Sequence, residues 1–230
     1  MVMRGNELKW LSDMLVRMAA MVETAIKKSV HSLVERDDDM AREVIAGDHE
    51  INAVDVHIDE ECIRLLALIQ PVASDLRTIT TAMKITTDLE RIGDNAVNIA
   101  ERALELNQEP ILKPYVDVPT MANIARRMVK DAIDAFVNHD KRLAMDVILR
   151  DDEMDDLNEA VVEELSAIMS RDPTTVYRAT KITYISKYLE RMGDHATNIA
   201  EMVIYMIEGR IIRHMAPFKK QEGEEGPPSG

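Results

Sequence analysis

The chain has 230 residues, enough for one large or two small domains, and 46% of them are apolar, enough for a sizeable core. Only 3% are aromatic, so that core must be built from Leu, Ile, Val, Ala and the sixteen Met. A formal net charge of −14 excludes a nucleic-acid groove, where phosphates would be repelled, and direct adsorption to anionic lipid.

The single cysteine, Cys62, excludes an internal disulfide and a CxxC zinc site, and reads as a small core residue in a reducing compartment. The opening stretch "MVMRGNELKWLSDML" has no apolar h-region, and no window approaches the roughly eighteen apolar residues of a membrane span. The expectation is a soluble, cytoplasmic protein without membrane insertion.

Helix breakers are few. Between residues 6 and 208 the only glycines are Gly47, Gly93 and Gly193. The windows between prolines are rich in Ala, Leu, Met, Glu and Arg, all good helix formers, and none shows the alternation of a strand. In chain order, a first helix is expected over 6–35, closed by "RDDD" at 36–39. A second runs over 40–70 to Pro71, and a third over 75–108. In the third, Ala82, Ile85, Leu89, Ile92, Ala96, Ile99 and Ala103 recur at three- and four-residue spacing, which marks one buried face. The segment "NQEPILKPYVDVP" (107–119), with three prolines, is a joint. Helices over 119–137, 141–170 and 175–209 follow, with Pro173 at the last turn. The polar, Gly/Pro-rich end, 213–230, reads as disordered.

The second half repeats the first. "LERIGDNAVNIAE" (89–101) returns as "LERMGDHATNIAE" (189–201), with ten of thirteen positions identical. "EVIAGDHEIN" (43–52) aligns with "DVILRDDEMD" (146–155) at an offset of 103, which also pairs Met18, Leu33 and Val34 with Met121, Phe136 and Val137. The offset falls to 100 in the third helix of each half. The fold expected is all-α, a tandem duplication of two three-helix bundles, the first over 1–112 and the second over 113–212.

The repeated acids suggest a site. Residues i and i+4 share a helix face, so Glu90 pairs with Asp94 and Glu190 with Asp194; Glu101 and Glu201 lie further along nearly the same stripes. Like charges so placed destabilise a helix by roughly 0.2–0.5 kcal/mol, a cost that something should offset in both halves. On the second helix Asp48, Asn52, Asp55 and Asp59 share a stripe, and Asp151, Asp155 and Asn158 are its counterpart. An antiparallel hairpin about Pro71 sets Asp55 level with Glu90, and Asp48 and Asn52 near Asp94. About Pro173, Asp155 comes level with Glu190 and Asp151 with Asp194. Oxygen-rich clusters of this kind bind hard cations: Mg, Ca, Mn or ferric iron. The competing reading is a solvated acidic face on an acidic protein.

Gly93 and Gly193 read as points of close helix approach, and Arg91 and Arg191 as bridges between neighbouring acids. His195 has Asn95 as its counterpart and reads as a polar surface residue or accessory ligand. No His follows a Glu at the Glu-x-x-His spacing of di-iron oxidases, and HExxH, P-loop and GxSxG motifs are absent. The Met-rich helices read as core, with a Met-lined partner groove as the alternative.

The doubled "LERIGDNAVNIAE" and "LERMGDHATNIAE", together with "IDEECIRLLALIQPVASDLRTITTAMKITTDLERIGD" (58–94), resemble the PhoU family of phosphate-signalling proteins, and the resemblance runs to about residue 212. It implies two tandem three-helix bundles with clustered metal ions, iron or zinc before Mg, Mn or Ca. The family's metal positions fall on Glu90, Asp94, Glu190, Asp194, Asp151, Asp155, Asp48 and Asn52. Asn52 departs from the family's Asp, which implies an incomplete first site.

The resemblance further implies a non-catalytic, homodimeric adaptor between the ATPase subunit of the phosphate ABC importer and a phosphate-sensing histidine kinase. Such an adaptor restrains both when phosphate is plentiful. The alternative from another class is a carboxylate-bound iron storage or redox bundle.

Overall fold

A computed structural model describes residues 2–210. It contains α1 (Val2–Val34), α2 (Asp38–Ile69), α3 (Ala73–Asn107), α4 (Asp117–Asn138), α5 (Lys141–Arg171), a 3-10 turn (Pro173–Thr175) and α6 (Val176–Glu208). No strand occurs among the described residues, so the chain is all-α as expected. The expected disordered segment, 213–230, lies outside the described residues.

Local chemistry sets the helix ends. At "RDDD" the chain reverses through Arg36, whose φ is 58°. Asp37 then caps α2, its Oδ1 accepting from the Met40 N–H at 2.9 Å, while Asp38 and Asp39 sit against the positive end of the helix dipole. Asp140 caps α5 in the same way, accepting from the Leu143 N–H at 3.0 Å. Asp172 accepts from the Thr174 N–H and caps the 3-10 turn. At the C-terminal ends, Gln70 (φ 45°) and His139 (φ 53°) take the left-handed conformation that glycine adopts more cheaply. Gly209 fills that role at the end of α6, with φ 70°.

All seven periodic positions of α3 named above are fully buried. Residues equivalent by the repeat share environments: Met18 and Met121 are buried, as are Leu33 and Phe136. Cys62 is a buried core residue, and burial pushes its thiol pKa up to about 12.

Within each half all three helices pack on one another. Among the described residues, α1 meets α4 and α3 meets α6 across the halves and no other helices do, the α3–α6 pairing being the most extensive. One apolar cluster draws on all six helices, so the two bundles share a continuous core. Residues 108–116 carry the chain between them. No helix among the described residues is long and apolar enough to cross a membrane.

Candidate metal centres

In the second bundle the paired stripes meet. Asp151 and Asp155 project from α5, Glu190 and Asp194 from α6. Gly193 permits the approach, because a Cβ there would stand 3.1 Å from Asp151 Oδ1 and 3.3 Å from Met154 Cγ. The four acids feel one another. Burial first, then the charges of Asp194, Asp155 and Glu190, raise the Asp151 pKa to about 7. Asp155 and Asp194 are also raised, chiefly by desolvation and then by the Glu190 carboxylate. Glu190 is only 8% exposed. Its Oε1 accepts from Lys187 Nζ at 2.5 Å, while its Oε2 and Asp151 Oδ1 are buried and make no hydrogen bond.

The first bundle repeats the arrangement with one carboxylate fewer, Asn52 standing where the second has Asp155. Asp48 and Asn52 of α2 face Glu90 and Asp94 of α3 across Gly93, where a Cβ would meet Ile51 Cδ1 at 3.3 Å and Asp48 Oδ1 at 4.0 Å. Glu90 is raised by desolvation, then by Asp94, Asp55 and Asp48, against the pull of Arg91. Asp55 is therefore within electrostatic reach of Glu90, as the hairpin register requires. Asn52 Nδ2 donates to Asp48 Oδ2 at 2.8 Å, and Asp48 Oδ1 and Asn52 Oδ1 are buried and unpaired.

These donor sets fit a hard cation. Each bundle holds buried oxygen atoms without partners, and each gathers carboxylates whose mutual repulsion a positive charge would relieve. The side chains do not converge on a common point: among the described residues no three His, Cys, Asp or Glu groups form a ready cage. Binding would therefore require rotamer adjustment.

Other residues named from the sequence fall elsewhere. Arg91 bridges Glu90 (3.4 Å) and Asp94 (3.1 Å), whereas Arg191 is exposed and makes no ion pair with a described residue. Glu101 pairs with Arg102 at 3.1 Å, and Asn158 Oδ1 accepts from Ser186 at 2.6 Å. His195 Nδ1 lies 2.9 Å from Asp88 Oδ1, tying α6 to α3 rather than facing the acids of its own bundle. Sequence spacing missed the role of Lys187 as counter-ion to Glu190. Its place one turn before Glu190 was the available signal. Between the two centres, α3 and α6 enclose a polar cleft of about 610 Å³ with Arg91, Asp94, Asn95, Arg191, Asp194 and His195 on its walls.

The PhoU domain family matches residues 15–103 and again 118–203, one match per bundle. The phosphate-specific transport system accessory protein PhoU homolog of Aquifex aeolicus is 42% identical over 219 residues, covering 95% of this chain and 98% of the relative. Among solved structures, PhoU from Pseudomonas aeruginosa superposes with a TM-score of 0.86 at 39% identity, covering 90% of this chain and 99% of that one. The phosphate transport system regulatory protein PhoU from Streptococcus pneumoniae gives 0.85 at 29% identity, covering 90% and 98%.

Proposed function

The chain belongs to the PhoU family, and from that premise we propose that it is a cytoplasmic, non-catalytic negative regulator of phosphate uptake and of phosphate-responsive gene expression. The observation that carries this reading is the match over nearly the whole chain to relatives named as accessory proteins of the phosphate-specific transport system. In this reading the protein joins the ATPase subunit of the phosphate ABC importer to a phosphate-sensing histidine kinase and works as a homodimer.

Metal binding is part of the proposal. Asp151, Asp155, Glu190 and Asp194 would hold an ion in the second bundle, and Asp48, Asn52, Glu90 and Asp94 in the first. The family resemblance favours iron or zinc over Mg, Mn or Ca, and of iron and zinc it is ferric iron that better suits an all-oxygen donor set. A bound cation would supply positive charge beyond the one basic side chain that each cluster already holds, Arg91 in the first and Lys187 in the second. The residues' own part is to present oxygen atoms from two helices at one height, and so to link the position of α2 to α3 and of α5 to α6.

Deletion of the gene tests the regulatory role. Importer and alkaline phosphatase expression should rise in phosphate-replete medium, and an unchanged level would remove the proposal. Metal analysis of protein purified without chelator tests the second part. Oxygen consumption with ferrous iron tests the storage or redox alternative, which the lack of Glu-x-x-His disfavours.

A further inference from the structure

The α1–α4 seam carries a local charge opposite to that of the whole protein, whose net charge is −14. Two adjoining clefts, of about 560 and 190 Å³, open there, and Lys27, His31 and Arg126 line both. None of the three makes an ion pair with a described residue, and Arg126 Nε is buried without an acceptor. Lys28 also reaches the larger cleft but is taken by Glu43 at 2.5 Å. Glu23 is the one carboxylate among the described residues on the walls; it attracts Arg126 from beyond ion-pair distance and is itself within electrostatic reach of Lys130, Asp131 and Asp134.

The repeat supplies an internal control. At the offset of 103, Lys130 stands for Lys27, Asp134 for His31 and Asp131 for Lys28. In the second bundle Lys130 Nζ is paired with Asp134 at 2.5 Å, and Asp131 is paired with Arg150 at 2.8 Å. The second copy therefore neutralises its lysine one turn along the helix, and the first places a histidine at that position instead. The positive charge in the first copy is not a general property of the repeat.

We propose that the cleft between α1 and α4 binds the phosphate group of a small molecule, with the Lys27 ammonium, the Arg126 guanidinium and a ring N–H of His31 as donors. An ammonium, a planar fork of N–H groups and an imidazole donor all line the same two clefts, and each is a donor that phosphate oxygens accept from. The larger cleft exceeds the size of a bare phosphate and has Ala20 and Met40 on its walls, so it has room for an organic body. The site shares no residue with the candidate metal ligands, and its failure would leave the regulatory reading intact.

Isothermal titration of the full chain at low salt, with inorganic phosphate and separately with AMP, tests this. Both should bind the wild type. Tighter binding of AMP would assign the ligand to phosphorylated metabolites, and equal binding would assign it to free phosphate. His31→Asp recreates the neutralised pair of the second bundle on an exposed position, so folding should be preserved, as circular dichroism would verify. His31→Asp and Lys27→Glu should each weaken binding by about tenfold or more. No binding to the wild type, or binding that survives both substitutions, overturns the proposal.

Discussion

Asn52 Nδ2 donates to Asp48 Oδ2 across one helical turn, at 2.8 Å. Their equivalents, Asp151 and Asp155, have no such bond and only repel each other. One amide in place of one carboxylate turns a charged cluster into a partly self-satisfied one.

The two candidate centres should therefore differ in affinity. Glu190→Ala/Asp194→Ala should lose more metal after mild chelation than Glu90→Ala/Asp94→Ala, as measured by elemental analysis. Asn52→Asp should raise retention in the first bundle, since it restores the missing charge. Equal losses from the two double variants would refute this.

Stability of the chelated protein should fall as pH rises. The Asp151 carboxyl has an ordinary value of 3.8 and is raised to about 7 in the fold. Between those values the folded state holds more protons than the unfolded state, so stability is full below that window and lost as pH rises through 7. Glu90, Asp155 and Asp194 are shifted the same way and add to the trend. Thermal melts at pH 5 and pH 7.5 should show the lower Tm at pH 7.5, and saturating metal should remove the difference. Asp151→Asn should raise the Tm of the chelated protein at pH 7.5 while weakening metal retention.

The two glycines should respond differently to alanine. Replacing a mid-helix Gly gains about 1 kcal/mol of helix propensity. At Gly93 the closest obstacle is the tip of Ile51, 3.3 Å away, which can move. At Gly193 the new methyl presses on Asp151 Oδ1 at 3.1 Å, an atom that is already buried and unpaired. Gly93→Ala should be close to neutral in denaturant melts. Gly193→Ala should be destabilising and should impair metal retention in the second bundle.

Cys62 should resist thiol reagents in the native state. It is fully buried, and its raised pKa leaves almost no thiolate at neutral pH. Labelling by a disulfide reagent should track global unfolding, and fast labelling without denaturant would contradict the packing.

The seam where the halves meet was least legible in the sequence. The seven buried positions of α3 and the facing of Asp155 with Glu190 follow from helical period and hairpin register, both local properties that spacing encodes. Pairings across the halves have no such encoding. His195 and Asp88 are 107 residues apart and meet only because α6 packs on α3. The Gln70 and His139 caps were hidden for another reason: a non-glycine residue in the left-handed conformation leaves no compositional mark. The Lys27, His31 and Arg126 cleft joins two helices from different repeats, so neither repeat alone predicts it.

The pairing of α1 with α4 and of α3 with α6 sets each helix against its own equivalent, as a two-fold axis does in a dimer of identical subunits. Residues 108–116 tether what would otherwise be two associating partners. Their union is then intramolecular, so the folded pair should not dissociate on dilution. Covalent linkage also frees each copy from the identity that a symmetric pair imposes on its members. Asn52 beside Asp155, His195 beside Asn95 and His31 beside Asp134 are differences that two copies of one shorter chain could not hold at the same time.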